Sequence, residues 1–182
     1  ALHGNNASLA AAHQWGLARE HGYLVALAQS SQIIASHTYN WDDWQRATAE
    51  IQQHIAELQQ EYAVDPGRIV PGGFSMSGGL VAWLALSGEI ETAGFVAVGP
   101  HIPDFQRFAD LFAAGAQRSI RGYIVIGERD PGLAAAQQLR DLMRQHGLIC
   151  EFNQIPDLGH DFPPDWAEQL AQALASLQRS VT

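Results

Sequence analysis

The chain has 182 residues, 47% hydrophobic and 16% charged, enough apolar side chain for a buried core and too little charge for a disordered polymer. Its 10 basic and 19 acidic residues give a formal net charge of −9, which repels phosphate backbones and anionic lipid and argues against a nucleic-acid partner. One cysteine, Cys150, excludes an intrachain disulfide, a CxxC pair or a cysteine zinc cluster, and no apolar run reaches the roughly 18 residues of a membrane span.

In chain order, residues 10–20 read as a helix closed by Gly22, and residues 23–28 as a short buried strand. Residues 44–62 carry Ile51, Ile55, Leu58 and Tyr62 on one helical face, with Asp42 or Asp43 available as a cap. Asp65-Pro66-Gly67 is a turn, after which a strand starts at Arg68 and runs into Pro71-Gly72-Gly73. A helix is predicted over 80–86, a strand over 94–98, a short helix over 104–114 and a strand over 123–126. Residues 133–145 form a helix ended by Gly147, residues 149–155 the last strand and residues 165–177 the last helix. Without repeats or linkers, the pattern gives a single domain over residues 1–182. Strands alternating with helices predict a mostly parallel, twisted sheet with helices on both faces, which binds ligands beyond the carboxyl ends of its strands.

The most informative of those ends is Pro71-Gly72-Gly73-Phe74-Ser75-Met76-Ser77-Gly78-Gly79. A strand enters, glycines crowd a serine, and a helix leaves. Small residues two positions either side of a nucleophile let the chain reverse with the serine held exposed, and the helix N-terminus favours a developing anion beside it. Gly73 fills the first small position; Ser77 replaces glycine at the second. A phosphate-binding P-loop is excluded because Gly79-Leu80 stands where Lys and Ser/Thr are required. Taken alone, the stretch reads equally as a nucleophile turn or as a glycine-rich connection without chemistry.

An acylating serine needs a histidine base, and the base needs a carboxylate to hold its tautomer. Asp130 follows the strand at 123–126, with an ordinary helix cap as its alternative reading, and His160 follows the last strand, with a solvated loop histidine as its alternative. Ser, then Asp, then His is the chain order of one class of serine hydrolases. Three such residues at three strand ends in that order weigh against all the bland readings holding together.

The Gly72–Gly79 segment resembles the G-G-F-S-x-G-G motif of the carboxylesterase/phospholipase (acyl-protein thioesterase-like) branch of the α/β-hydrolases. Leu2-His3-Gly4-Asn5-Asn6 resembles that branch's L-H-G segment, and Gly127-Glu128-Arg129-Asp130 and Gly159-His160 its acid and base segments. The resemblance runs through the chain in order and implies an α/β-hydrolase fold. It further implies Ser75 as nucleophile, His160 as base and then acid, Asp130 as the orienting carboxylate, and backbone amides of Asn5 and Met76 as an oxyanion hole. In that fold the strand before the His-Gly loop lies beside the elbow strand. Since Ala1-Leu2 supplies only its end, the resemblance leads one to expect residues before Ala1 in the natural protein, forming at least one further strand.

Trp41, His101, Ile102 and Phe162 fall in connections at strand ends and are candidates to line an apolar acyl pocket, although Trp41 and Trp44 serve equally well to seal a helix. The remaining histidines lack ligand spacing, so no cofactor or metal is expected. The expected activity is hydrolysis of small or accessible carboxylic esters through an acyl-enzyme, with a small-molecule ester as the binding partner. The alternatives are thioesterase, lysophospholipase or dienelactone-hydrolase-like chemistry, or a silent binding module on the same fold. The lone cysteine points to a cytoplasmic location.

Overall fold

Two runs of buried β-branched and aromatic residues make the centre of the sheet, Gly94–Val98 and Arg121–Gly127. The structure, a computed structural model, describes residues 1–178. In chain order it contains a hairpin of β1 (Gln32–Ala35) and β2 (Thr38–Asn40), then α1 (Trp44–Glu61), β3 (Gly72–Phe74) and α2 (Met76–Ser87). These are followed by β4 (Gly94–Val98), α3 (Gln106–Ala113), β5 (Arg121–Gly127), α4 (Leu133–Gln145), β6 (Cys150–Ile155) and α5 (Trp166–Gln178). Strands β3, β4, β5 and β6 lie side by side in that order, all parallel, and Leu2 continues the sheet beyond β3 through parallel bridges to Gly73 and Ala28.

Alternation along the central strands explains why both faces are covered. Phe95, Ala97, Ile124 and Ile126 face a core built with α1 to α4, including Leu80, Leu84, Phe108 and Leu139. Val96, Val98, Tyr123 and Val125 face the other way, against Trp15, Trp166, Leu170 and Leu174. Each central strand therefore feeds two apolar layers, and its carboxyl end emerges between them.

Four sequence expectations change. Residues 9–21 are a 3-10 helix rather than an α-helix. Ala12, Trp15 and Ala18 recur every third residue and pack against α5, a stripe that matches three residues per turn. Residues 23–28 are not a strand: only Ala28 joins the ladder, and Leu24 is exposed. The elbow strand starts at Gly72 rather than Arg68, because Asp65 accepts a hydrogen bond from the Gly67 amide (3.0 Å) and caps a 3-10 turn over Pro66–Arg68. The β1–β2 hairpin lies where the sequence suggested only a connection. Elsewhere the expected helices and strands agree to within about two residues, apart from α2, which begins four residues early at Met76. Asp43 caps α1 by accepting from the Arg46 amide.

Candidate active site

Ser75 stands between the end of β3 and the start of α2, with φ 60° and ψ −121°, a conformation disfavoured for any residue with a side chain. The neighbouring backbone enforces it. The Ser75 amide donates to the Val98 carbonyl (2.9 Å), and the Ser75 carbonyl accepts from the amides of His101 (2.8 Å) and Gly78 (3.0 Å). The turn is so tight that a Cβ on Gly73 would lie 2.3 Å from the Ser77 carbonyl oxygen, so this position admits only glycine. Such strain costs about 1–3 kcal/mol and persists only where its surroundings over-determine it. Pro71 is harmless to the ladder: its carbonyl accepts from the Val96 amide (3.0 Å), and the bond it cannot donate is not needed there.

The loop after β6 brings His160 to this turn. Its Nε2 lies 2.8 Å from Ser75 Oγ and its Nδ1 lies 2.7 Å from Asp130 Oδ2. An ionised carboxylate only accepts, so Nδ1 carries the hydrogen and donates it to Asp130, leaving Nε2 to accept from the Ser75 hydroxyl. Asp130 is held in its turn: Oδ1 accepts from the Gly132 amide at 2.7 Å, and the carboxylate side chain is only 1% exposed, against 36% for His160. The acid is sealed from solvent while the base faces it. The loops carrying them are clipped together by the Arg129–Asp157 ion pair, by the Arg129 amide donating to Leu158 (2.9 Å), and by the Asp157 amide donating to Glu128 (3.1 Å).

The His3–Asn5 segment meets Phe74, the residue before Ser75. The Ser30 amide donates to His3 Nε2 (3.2 Å), so Nδ1 of this buried ring carries the hydrogen and donates it to the Gly4 carbonyl (2.7 Å). Burial is the larger influence on His3 and pushes its pKa below the ordinary 6.5, against a smaller upward pull from the bond to Gly4. Asn5 follows in an exposed turn, and Met76 is the first residue of α2, where backbone amides have no partner within the helix.

The remaining candidates separate by exposure. Trp41 is fully buried, and its indole donates to the His3 carbonyl (3.1 Å); it braces the loop and offers no surface to a ligand. Ile102 is also buried, whereas His101 is exposed beside the elbow. Phe162 stacks on Phe74 with ring centroids 4.9 Å apart. Phe74 also meets the His160 ring, with centroids 4.9 Å apart, and its edge meets Gly4, where an added Cβ would lie 3.0 Å away. Phe74 therefore touches both the histidine and the His-Gly loop, a role that no sequence spacing announced. Gly99, at the end of β4, was missed as well. Its φ is 49°, and a Cβ there would come within 2.9 Å of Asp130 Oδ2 and 3.2 Å of His160 Nδ1. The only sequence signal was a glycine directly after a buried strand. Among the described residues, no group of three or more His, Cys, Asp or Glu side chains is arranged to hold a metal ion.

A parallel sheet with helices on both faces, a strained serine between strand and helix, and acid and histidine on later strand ends define an α/β-hydrolase fold. Among known proteins the chain is similar to acyl-protein thioesterase 1 of Neurospora crassa, 23% identical over 151 residues, which cover 80% of this chain and 60% of that protein. A crystal structure of an uncharacterized protein from Bacillus cereus superposes with a TM-score of 0.88 at 28% identity, covering 97% of this chain and 57% of that one. The Bacillus cereus carboxylesterase superposes with a TM-score of 0.68 at 19% identity, over 97% of this chain and 86% of its own. The structural likenesses show the same fold. No family model matches the sequence. The chain spans about three fifths of the length of the curated relative it matches. Among the described residues no helix is long and apolar enough to cross a membrane.

Proposed function

We propose that the protein is a serine hydrolase that cleaves carboxylic esters through an acyl-enzyme. The observation that carries this reading is the unbroken chain of contacts from Ser75 Oγ to His160 Nε2 (2.8 Å) and from His160 Nδ1 to Asp130 (2.7 Å). In the proposed cycle Ser75 Oγ attacks the carbonyl carbon as its proton passes to His160 Nε2, and Asp130 stabilises the imidazolium. The tetrahedral oxyanion is held by the amides of Asn5 and Met76; losing one such donor typically slows turnover by on the order of 10²–10³. The proton on Nε2 then goes to the leaving alcohol. Water, deprotonated by the same nitrogen, attacks the acyl carbon and restores Ser75.

His160 faces solvent, which favours small or accessible esters over substrates that need a deep enclosure. A thioester substrate is the second reading, favoured by the name of the Neurospora relative. The same attack and the same oxyanion would serve it, so p-nitrophenyl esters and acyl thioesters of matched chain length separate the two. The test of the chemistry itself is Ser75→Ala together with a fluorophosphonate probe. The variant is expected to lose turnover while melting as the parent does, and the probe to modify Ser75 in the parent alone. A parent protein that neither hydrolyses any of these substrates nor takes up the probe would remove the reading.

A further inference from the structure

The ladder beside the elbow takes in a side-chain hydroxyl where it ends. The Leu2 amide donates to the Gly72 carbonyl (2.9 Å), as parallel pairing requires. At the next position along the ladder the Phe74 amide donates to Ser77 Oγ (3.0 Å). The same hydroxyl lies 3.3 Å from the Leu2 carbonyl and 3.0 Å from the Phe74 carbonyl, so it has one acceptor on each strand for its single hydrogen. Ser77 is fully buried. Leu2 leads directly into the His3–Asn5 loop; Phe74 leads directly into Ser75.

We propose that Ser77 is a positioning residue whose hydroxyl joins the strand of Leu2 to the strand of Phe74 and thereby sets the distance between the Asn5 and Met76 amides. This inference rests on the serine-hydrolase reading above and adds to it a source for the spacing of its two oxyanion donors. Glycine at this position, which the resembling branch carries, has no hydroxyl to insert between the strands. The Phe74 ring extends the effect of the brace. Held by its backbone at Ser77, it bears on both His160 and Gly4.

The experiment compares the parent chain with Ser77→Ala and Ser77→Gly; the glycine variant guards against an alanine variant that fails to fold. Three quantities are read: kcat and KM on p-nitrophenyl acetate, the rate of Ser75 modification by a fluorophosphonate, and hydrogen exchange at the Phe74 amide. Expected are a fall in kcat and in modification rate of about tenfold or more, KM within about twofold of the parent, and faster exchange at Phe74. The pH midpoint of kcat stays in place, since the Asp130–His160 pair is untouched. Parent-like kcat in both variants overturns the proposal, whatever happens to the melting temperature, because a merely structural hydroxyl would lower stability and leave turnover per modified serine unchanged. Parent-like exchange at Phe74 overturns it too. If the parent and Ser75→Ala are equally inert to ester and probe, the hydrolase reading falls instead, and exchange at Phe74 still shows whether the hydroxyl holds the strands.

Discussion

At the scale of single residues, protonation states follow from who donates to whom. His160 has a carboxylate on one nitrogen and a hydroxyl on the other, and it faces solvent. His3 is its opposite: buried, with a backbone amide aimed at Nε2, an arrangement only the neutral ring accepts. Because burial holds the folded-state pKa of His3 below 6.5, the unfolded chain takes up this proton first as the pH falls. The contribution of His3 to stability is complete above pH 6.5 and is lost as the pH drops from there toward the folded-state value. Melting temperatures measured across this window are expected to fall more steeply with acidification in the parent than in His3→Gln, which has no ring to protonate. Parallel curves would show that His3 does not titrate in this way.

At the scale of elements, each site residue takes its place from the end of a strand. Register does the placing: Phe74 pairs with Val98 and Val98 with Val125, so β3 and β4 end level, while β5 runs two residues further, to Gly127, beside β6. Gly99 closes β4 at the point where Asp130 and His160 pass closest to it, and its amide is tied to the Val125 carbonyl (2.8 Å). Gly99→Ala would need an L-residue at φ 49° and would push a methyl against the Asp130–His160 hydrogen bond. On the proposed chemistry its expected effect is a loss of about 10²-fold in kcat, as for a roughly 1 Å displacement of a reacting group, read together with slower fluorophosphonate labelling. Unchanged kinetics would mean that the loop yields at no cost. The same elements show what the sequence made legible. Helix 133–145 and strand 94–98 were legible to the residue, because a long periodic face and a buried run bounded by glycine leave little freedom. The placement of Asp130 and His160 in the connections after two such strands was legible too. The hairpin at 32–40 was not, since Ile33 and Ile34 are exposed and break the alternation that marks a strand. Gly99, Phe74 and the hydroxyl of Ser77 act through approaches between distant segments, which no local pattern records.

For the molecule as a whole, the apolar layer built with α1 to α4 buries the only cysteine. Cys150 opens β6 under α4, and burial, the largest influence on it, pushes its thiol pKa up to about 12. A thiol of that kind does not form thiolate at neutral pH and is closed to reagents. Native protein is expected to resist a disulfide reagent such as DTNB at pH 8 and to react only as fast as it opens globally, while fluorophosphonate labelling of Ser75 continues undisturbed. Rapid thiol reaction in fully folded protein would contradict the packing around β6. Tying the hydroxyl of residue 75 to the imidazole of residue 160, 85 positions later, has a kinetic corollary. No fragment holding fewer than three of the parallel strands contains both ends of that link. Reactivity toward an active-site probe would therefore emerge late and all at once as the chain folds, a chemical clock for the completion of the native topology.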